Sequence, residues 1–140
     1  MDEAKQDGIR SWLQKGLLDL KSADWLLRSP YPLFNSVGFH CQQAAEKFLK
    51  AFLTWCDKPF GKTHSLVALV GECLEFDESF QELRDAATTL TPYAVTARYP
   101  GDLPELTIEE AEEAYKLSQQ VWEVAIGLMP LQIHENLEKS

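Results

Sequence analysis

A chain of 140 residues with a formal charge of −9 leaves little room for a broad basic surface, which excludes general DNA binding through the phosphate backbone. The length suffices for one domain, 1–140, with a buried core, and 45% hydrophobic with 25% charged residues is ordinary globular composition. No apolar run reaches membrane-spanning length and the opening MDEAKQDGIRSW lacks a signal-peptide core, so a soluble, cytoplasmic protein is expected. A local basic cleft holding a nucleotide or an RNA strand is compatible with the charge.

The first predicted helix covers 7–27. Ile9, Leu13, Gly16, Leu20, Ala23 and Leu27 recur in steps of four and three, a heptad-like seam. Trp12, Leu17 and Leu26 widen it, and Ser29-Pro30-Tyr31-Pro32 ends it. The short connection returns the chain antiparallel. The second helix, 33–56, is the most regular amphipathic segment. At about 100° per residue, Phe34, Val37, Cys41, Ala45, Phe48, Phe52 and Trp55 share one side, which marks a buried central helix. Its other side carries Gln42, Gln43, Glu46, Lys47 and Lys50, with His40 at the boundary.

Lys58-Pro59-Phe60-Gly61-Lys62 is the next break. Thr63 or Ser65 caps a short third helix through Leu66, Val70 and Leu74. A fourth is expected over 79–90, where Ser79 and Glu82 fit a capping box. Residues 91–106 are irregular, because Pro92, Pro100, Gly101 and Pro104 rule out a continuous helix. Thr107-Ile108-Glu109-Glu110 opens the last helix, to about Leu128. Its seam of Ala111, Ala114, Ser118, Val121 and Ala125 permits close approach, and the tail 130–140 is expected to fray. No alternating strand pattern occurs. The fold class is therefore all-α: an up-and-down bundle of four main helices plus one short helix.

Each polar candidate carries a bland and a functional reading. The strip on the second helix is either a solvated face or the cationic wall of a cleft, in which Lys47 meets a phosphate and Gln43 a base or ribose. For each side chain taken alone the solvated face outranks the cleft. His64 either braces the loop-to-helix junction, the favoured role, or sits at a helix N-terminus that attracts an anion. Arg98, in an aromatic-flanked loop before Pro100-Gly101, is evenly balanced between a structural anchor and a planar phosphate ligand. Cys41, Cys56 and Cys73 lack metal spacing and read as reduced cysteines. No phosphate loop, nucleophile elbow or zinc motif is present, so neither metal nor cofactor is called for.

Taken in order, FHCQQAAEKFLKAFL at 39–53, THSLVAL at 63–69, ARYPGD at 97–102 and TIEEAEEAYKLSQQV from Thr107 resemble the HEPN domain family, the higher eukaryotes and prokaryotes nucleotide-binding domain. The resemblance covers nearly the whole chain. It implies a helical bundle, commonly a homodimer, often partnered with a separately encoded nucleotidyltransferase and in some cases forming a toxin–antitoxin pair. Some members are metal-independent ribonucleases with an arginine followed a few residues later by a histidine. Here Arg98 is followed at those positions by Leu103, Pro104 and Glu105, and the next histidine is His134. General acid–base cleavage of RNA thus lacks its proton-transfer group. The expectation is a non-catalytic protein that binds a nucleotide or serves a nucleotidyltransferase, with Lys47, His64, Arg98, His40, Gln43 and Lys50 as nucleotide- or phosphate-binding candidates. The alternatives are a divergent ribonuclease using Arg98 with His64 or His40, and a dimerisation or adaptor module whose small-residue seams serve a partner helix.

Overall fold

The computed structural model describes residues 2–30, 33–94, 105–135 and 137. Its helices are α1 (Glu3–Arg28), α2 (Phe34–Trp55), α3 (Leu66–Leu74), α4 (Arg84–Leu90), α5 (Ile108–Gly127) and α6 (Leu131–His134), with no strand among the described residues. The all-α bundle is thus the observed fold. The side-chain pairs give the directions. Trp12 meets Lys50, Gly16 meets Phe48 and Asp19 meets His40, so α1 runs antiparallel to α2. Asn35 meets Leu106, Cys41 meets Ser118 and Phe48 meets Trp122, so α5 runs parallel to α2 on another flank.

The chain between α2 and α3 is not helical, and it covers what the helices leave open. After Trp55 it turns at Asp57, whose φ of 57° closes the helix through Lys58 N–H to Leu53 carbonyl. The segment 58–65 then runs back along α2, with Phe60 beside Lys50 and His64 beside Glu46. This return segment lies over the polar side of α2. Gln42, Glu46 and Lys50 are consequently 0%, 5% and 7% exposed. A solvated polar face is therefore corrected for these three residues. The periodicity is apolar on one side only, but the cover over the other side comes from a loop whose path no periodicity encodes.

The close packing rests on small residues. A Cβ on Gly16 would lie 2.5 Å from the Phe48 ring, and one on Gly38 would lie 2.7 Å from Leu106 Cδ1. The seam of α5 is equally internal: Ala111, Ala114, Ser118, Val121 and Ala125 are buried, and Ser118 Oγ donates to the Cys41 carbonyl at 2.9 Å. These seams thus close the monomer's own core and are not presented to a partner helix. Burying that core is the main stabilising term.

Three boundaries differ from or refine the sequence expectation. The fourth helix is a 3₁₀ turn over Glu78–Leu83 followed by α4, and its cap is Asp77, which accepts from Ser79 N–H, not a Ser79–Glu82 box. The last helix starts with the expected box: Thr107 accepts from Glu110 N–H while the Glu110 carboxylate accepts from Thr107 N–H. The described part of the tail makes contacts with the bundle. Ile133 and Leu137 are buried, and Arg10 donates to the Gln132 and Glu135 carbonyls. A composition rich in charge hides two apolar anchors there.

Candidate functional site

Five of the six candidate residues lie in the described structure, and four of them, His40, Lys47, Lys50 and His64, are held by carboxylates. His40 sits on α2 facing α1. Its Nδ1 is 2.8 Å from Asp19 Oδ1, and Lys47 Nζ donates to Asp19 Oδ2. One carboxylate thereby holds one imidazole and one ammonium between two helices. Asp19 lies beside the α1 seam, three residues after Gly16 and four before Ala23, so its side chain is directed toward α2.

A second cluster of the same composition sits on the face of α2 covered by the return segment. Glu46 Oε2 accepts from Lys50 Nζ at 3.0 Å, and Glu46 Oε1 pairs with His64 Nδ1 at 2.9 Å. Gln42 Nε2 donates to the His64 carbonyl at 3.0 Å, and Gln43 Nε2 donates to Gln42 Oε1 at 2.8 Å. Lys50 Nζ also lies 5.6 Å from the Trp12 ring centroid and 5.5 Å from that of Phe60, a favourable cation–ring arrangement. Burial alone would raise the Glu46 carboxyl. The hydrogen bonds and positive charge from His64 and Lys50 more than offset this and hold it below its ordinary value.

The clusters answer most of the sequence candidates. Lys47 is ion-paired at the rim between α1 and α2 and Lys50 beneath the return segment, Gln43 belongs to the chain of side chains that fixes the return segment, and His64 braces the junction before α3. The α3 N-terminus is also satisfied from within: Ser65 Oγ accepts from Ala68 N–H and Thr91 Oγ1 from Leu66 N–H. His64 and the α3 terminus are joined as the sequence suggests, but by capping, with no demand for an anion. Arg98 lies outside the described residues.

His40 differs from the rest. Its Nδ1 is held by Asp19, while Nε2 makes no hydrogen bond among the described residues. The ring lines an open pocket of about 440 Å³ together with Lys21, Ser22, Trp25 and Leu26 of α1. Trp25 is 79% exposed. Sequence reading places Glu46 on the polar strip without its partner His64, and misses Asp19, Lys21 and Trp25 as members of these sites. The available signals are a carboxylate beside an apolar seam, and a tryptophan seven residues after Leu18 on the side away from it.

Burial works against thiolate formation at the three cysteines. Burial, with the nearby Asp19 charge second, pushes the Cys41 thiol up to about 12, and burial also raises Cys56 and Cys73. Among the described residues no group of three His, Cys, Asp or Glu side chains could hold a metal ion, and no helix is long and apolar enough to cross a membrane.

Fold and site together define a small helical-bundle protein with two carboxylate–histidine–lysine clusters set along its central helix. The chain belongs to the HEPN domain family, whose model matches residues 9–128. Its structure is similar to that of TT1696 from Thermus thermophilus, at 28% identity and a TM-score of 0.76 over 86% of this chain and 98% of that one. It also shares its fold with ST0689, an archaeal HEPN homologue, at 21% identity and a TM-score of 0.68 over 89% and 97% of the two chains. No curated protein matches the sequence significantly.

Proposed function

We propose that this HEPN protein binds a nucleotide or a nucleotide-bearing substrate without transforming it, as the cytoplasmic, homodimeric partner of a separately encoded nucleotidyltransferase, in a toxin–antitoxin-like pair. The observation that carries the binding reading is the His40 pocket. An exposed indole offers a stacking platform, Lys21 offers a cation, and His40 offers a ring nitrogen whose direction is set by Asp19. Aromatic stacking beside a cation suits a base carrying a phosphate. Lys47 and Lys50, tied to carboxylates, are supports in this reading and not ligands.

Calorimetric titration of the purified protein with ATP and GTP tests it. Saturable binding that Trp25→Ala weakens is expected; absence of binding to the folded protein overturns it. Solution mass and co-purification with a nucleotidyltransferase expressed from the same operon test the assembly.

A second reading, metal-independent RNA cleavage, has one observation in its favour. His40 and His64 are each paired through Nδ1 to a carboxylate, the arrangement that orients a general base. It predicts RNA cleavage in the presence of a chelator that His40→Ala or His64→Ala abolishes. Intact RNA after prolonged incubation would dismiss it.

A further inference from the structure

A groove of about 340 Å³ runs between α1 and α5, lined by no residue of the two carboxylate clusters. Its floor is apolar: Leu17 and Leu20 of α1 are nearly buried, and the Tyr115 and Trp122 rings of α5 are half-buried beside them. Its rim is polar, with Lys21 and Asp24 on α1 and Gln119 and Glu123 on α5. On each helix these residues stand three or four apart, so each presents one face to the groove. Because α1 runs antiparallel to α2 and α5 runs parallel to it, Asp24 stands at the Tyr115 end and Glu123 at the other, with Lys21 and Gln119 between them. Burial first and the Asp24 charge second raise the Tyr115 phenol above its ordinary value, so it stays a neutral hydroxyl.

The charges of the rim select the occupant. Both oxygens of Asp24 are taken by Arg28, at 3.0 Å each. Lys21 and Glu123 are exposed, and neither is in an ion pair among the described residues. The groove thus offers one cation and one anion that are not joined to each other, above an aromatic and aliphatic floor. A phosphate ester would meet Glu123 and Asp24, and a simple amine would meet Lys21. A ligand carrying both signs satisfies both sides. From Leu17 to Asp24 the groove covers about 10 Å of helix, and its volume is at the small end for ligand pockets. A partner protein needs roughly 800 Å², well beyond such a patch.

We infer that this groove binds a small zwitterion with an apolar body, the chemistry of a free aromatic or large aliphatic α-amino acid. Glu123 accepts from the ammonium, which also faces the Trp122 ring, a favourable cation–ring arrangement. Lys21 donates to the carboxylate, and the Gln119 amide donates beside it. The ligand's side chain lies along Leu17, Leu20 and Tyr115, and its burial supplies the apolar part of the affinity. This goes beyond the nucleotide reading and does not rest on it. Of the lining residues, only Lys21 is shared with the His40 pocket.

Isothermal titration of the full chain tests it, with L-phenylalanine and L-leucine against two analogues that each lack one charge, N-acetyl-L-phenylalanine and phenethylamine. One of the amino acids should bind saturably, and each analogue about tenfold more weakly than phenylalanine. Glu123→Gln should weaken phenylalanine and phenethylamine about tenfold and spare the acetylated analogue. Lys21→Ala should weaken phenylalanine and the acetylated analogue and spare phenethylamine. Both side chains are exposed, so both variants should fold. Lys21 also lines the His40 pocket, so Glu123→Gln carries the assignment to this groove, and amino-acid binding indifferent to it would overturn the proposal. Phenethylamine binding as tightly as phenylalanine would overturn recognition by paired charges. Binding of neither amino acid to the folded protein would overturn the groove whatever ATP does, so this inference and the nucleotide reading fail separately. A dimer that Glu123→Lys dissociates, with no amino acid bound, would assign the groove to a second copy and overturn the proposal.

Discussion

Asp19 and Glu46 each hold one histidine and one lysine, yet the two clusters differ in what surrounds them. Glu46 is enclosed: its lysine lies between Trp12 and Phe60, its histidine belongs to the covering segment, and Gln42 ties that segment down. Asp19 joins two helices at their rim, and its histidine lines an open pocket. The same three groups can thus close a fold or equip a surface. Residue type does not distinguish the two; what does is whether a later piece of chain comes back over the cluster. Placing charges under such a cover is costly unless every partner is in place, which makes the Glu46 cluster the more sensitive to mutation.

Breaking the enclosed cluster should have the largest effect. Lys50→Ala leaves the Glu46 carboxylate buried with one cation fewer and removes the group between the two rings. A loss of about 3–5 kcal/mol is expected, read by urea denaturation. Adding Glu46→Gln to Lys50→Met should restore much of it, because a neutral pair leaves no buried charge. A loss below about 1 kcal/mol in the single variant would mean that the cluster behaves like a surface ion pair and that the contrast with Asp19 is empty.

Acid should sharpen the same contrast. The folded Glu46 carboxyl is held below its ordinary 4.5, so its contribution to stability is fully present above that value. It is lost as pH falls through the lower folded value. Glu46→Gln should therefore cost about 1–3 kcal/mol near neutral pH, with the difference from the unaltered protein shrinking as the solution is acidified below 4.5. A difference that grows on acidification would show that the sign is wrong.

Asp19→Asn should cost less, about 1 kcal/mol, because Lys47 and His40 at the rim can both turn to water. Its larger effect belongs to binding. An asparagine accepts from only one of the two partners well, so the His40 ring loses its fixed direction, and nucleotide affinity should fall while the melting temperature changes little. Equal losses of stability and affinity would reduce the rim cluster to a second structural brace.

Much of this fold is legible in the sequence, and the reason is periodicity. The seams Ile9–Leu13–Gly16–Leu20–Ala23 and Cys41–Ala45–Phe48–Phe52 are buried as spaced, and the Thr107–Glu110 box closes as written. Local rules suffice because helices and caps are local objects. The candidate site is legible only in part. His40 stands out, but its partner Asp19 is 21 residues away in sequence. Glu46 stands one turn before Lys50 on α2, a pairing the spacing already allows, but Trp12 and Phe60 close over that lysine only in the tertiary fold. Asp77 takes the cap from Ser79 for a related reason, since two neighbouring capping patterns compete and the 3₁₀ turn decides between them. The buried Ile133 and Leu137 show that a polar tail needs only two apolar residues and Arg10 to dock.

The smallest expected effect on stability is also the one that separates surface from core within a single helix. Trp12 and Trp25 both lie on α1. Trp12 packs edge-on against Phe60, ring centroids 5.9 Å apart, beside Lys50, whereas Trp25 stands in solvent. Trp25→Ala removes almost no buried area, so its unfolding free energy should stay within about 0.5 kcal/mol of the unaltered protein. Trp12→Ala should cost well over about 1 kcal/mol, because it uncovers Lys50 as well as losing apolar contact. Exposing a large indole brings no folding advantage, so unchanged stability would leave Trp25 available for the proposed stacking role. If Trp25→Ala instead unfolds the protein as readily as Trp12→Ala, the indole is held by contacts of the fold, and the pocket beside His40 loses its platform.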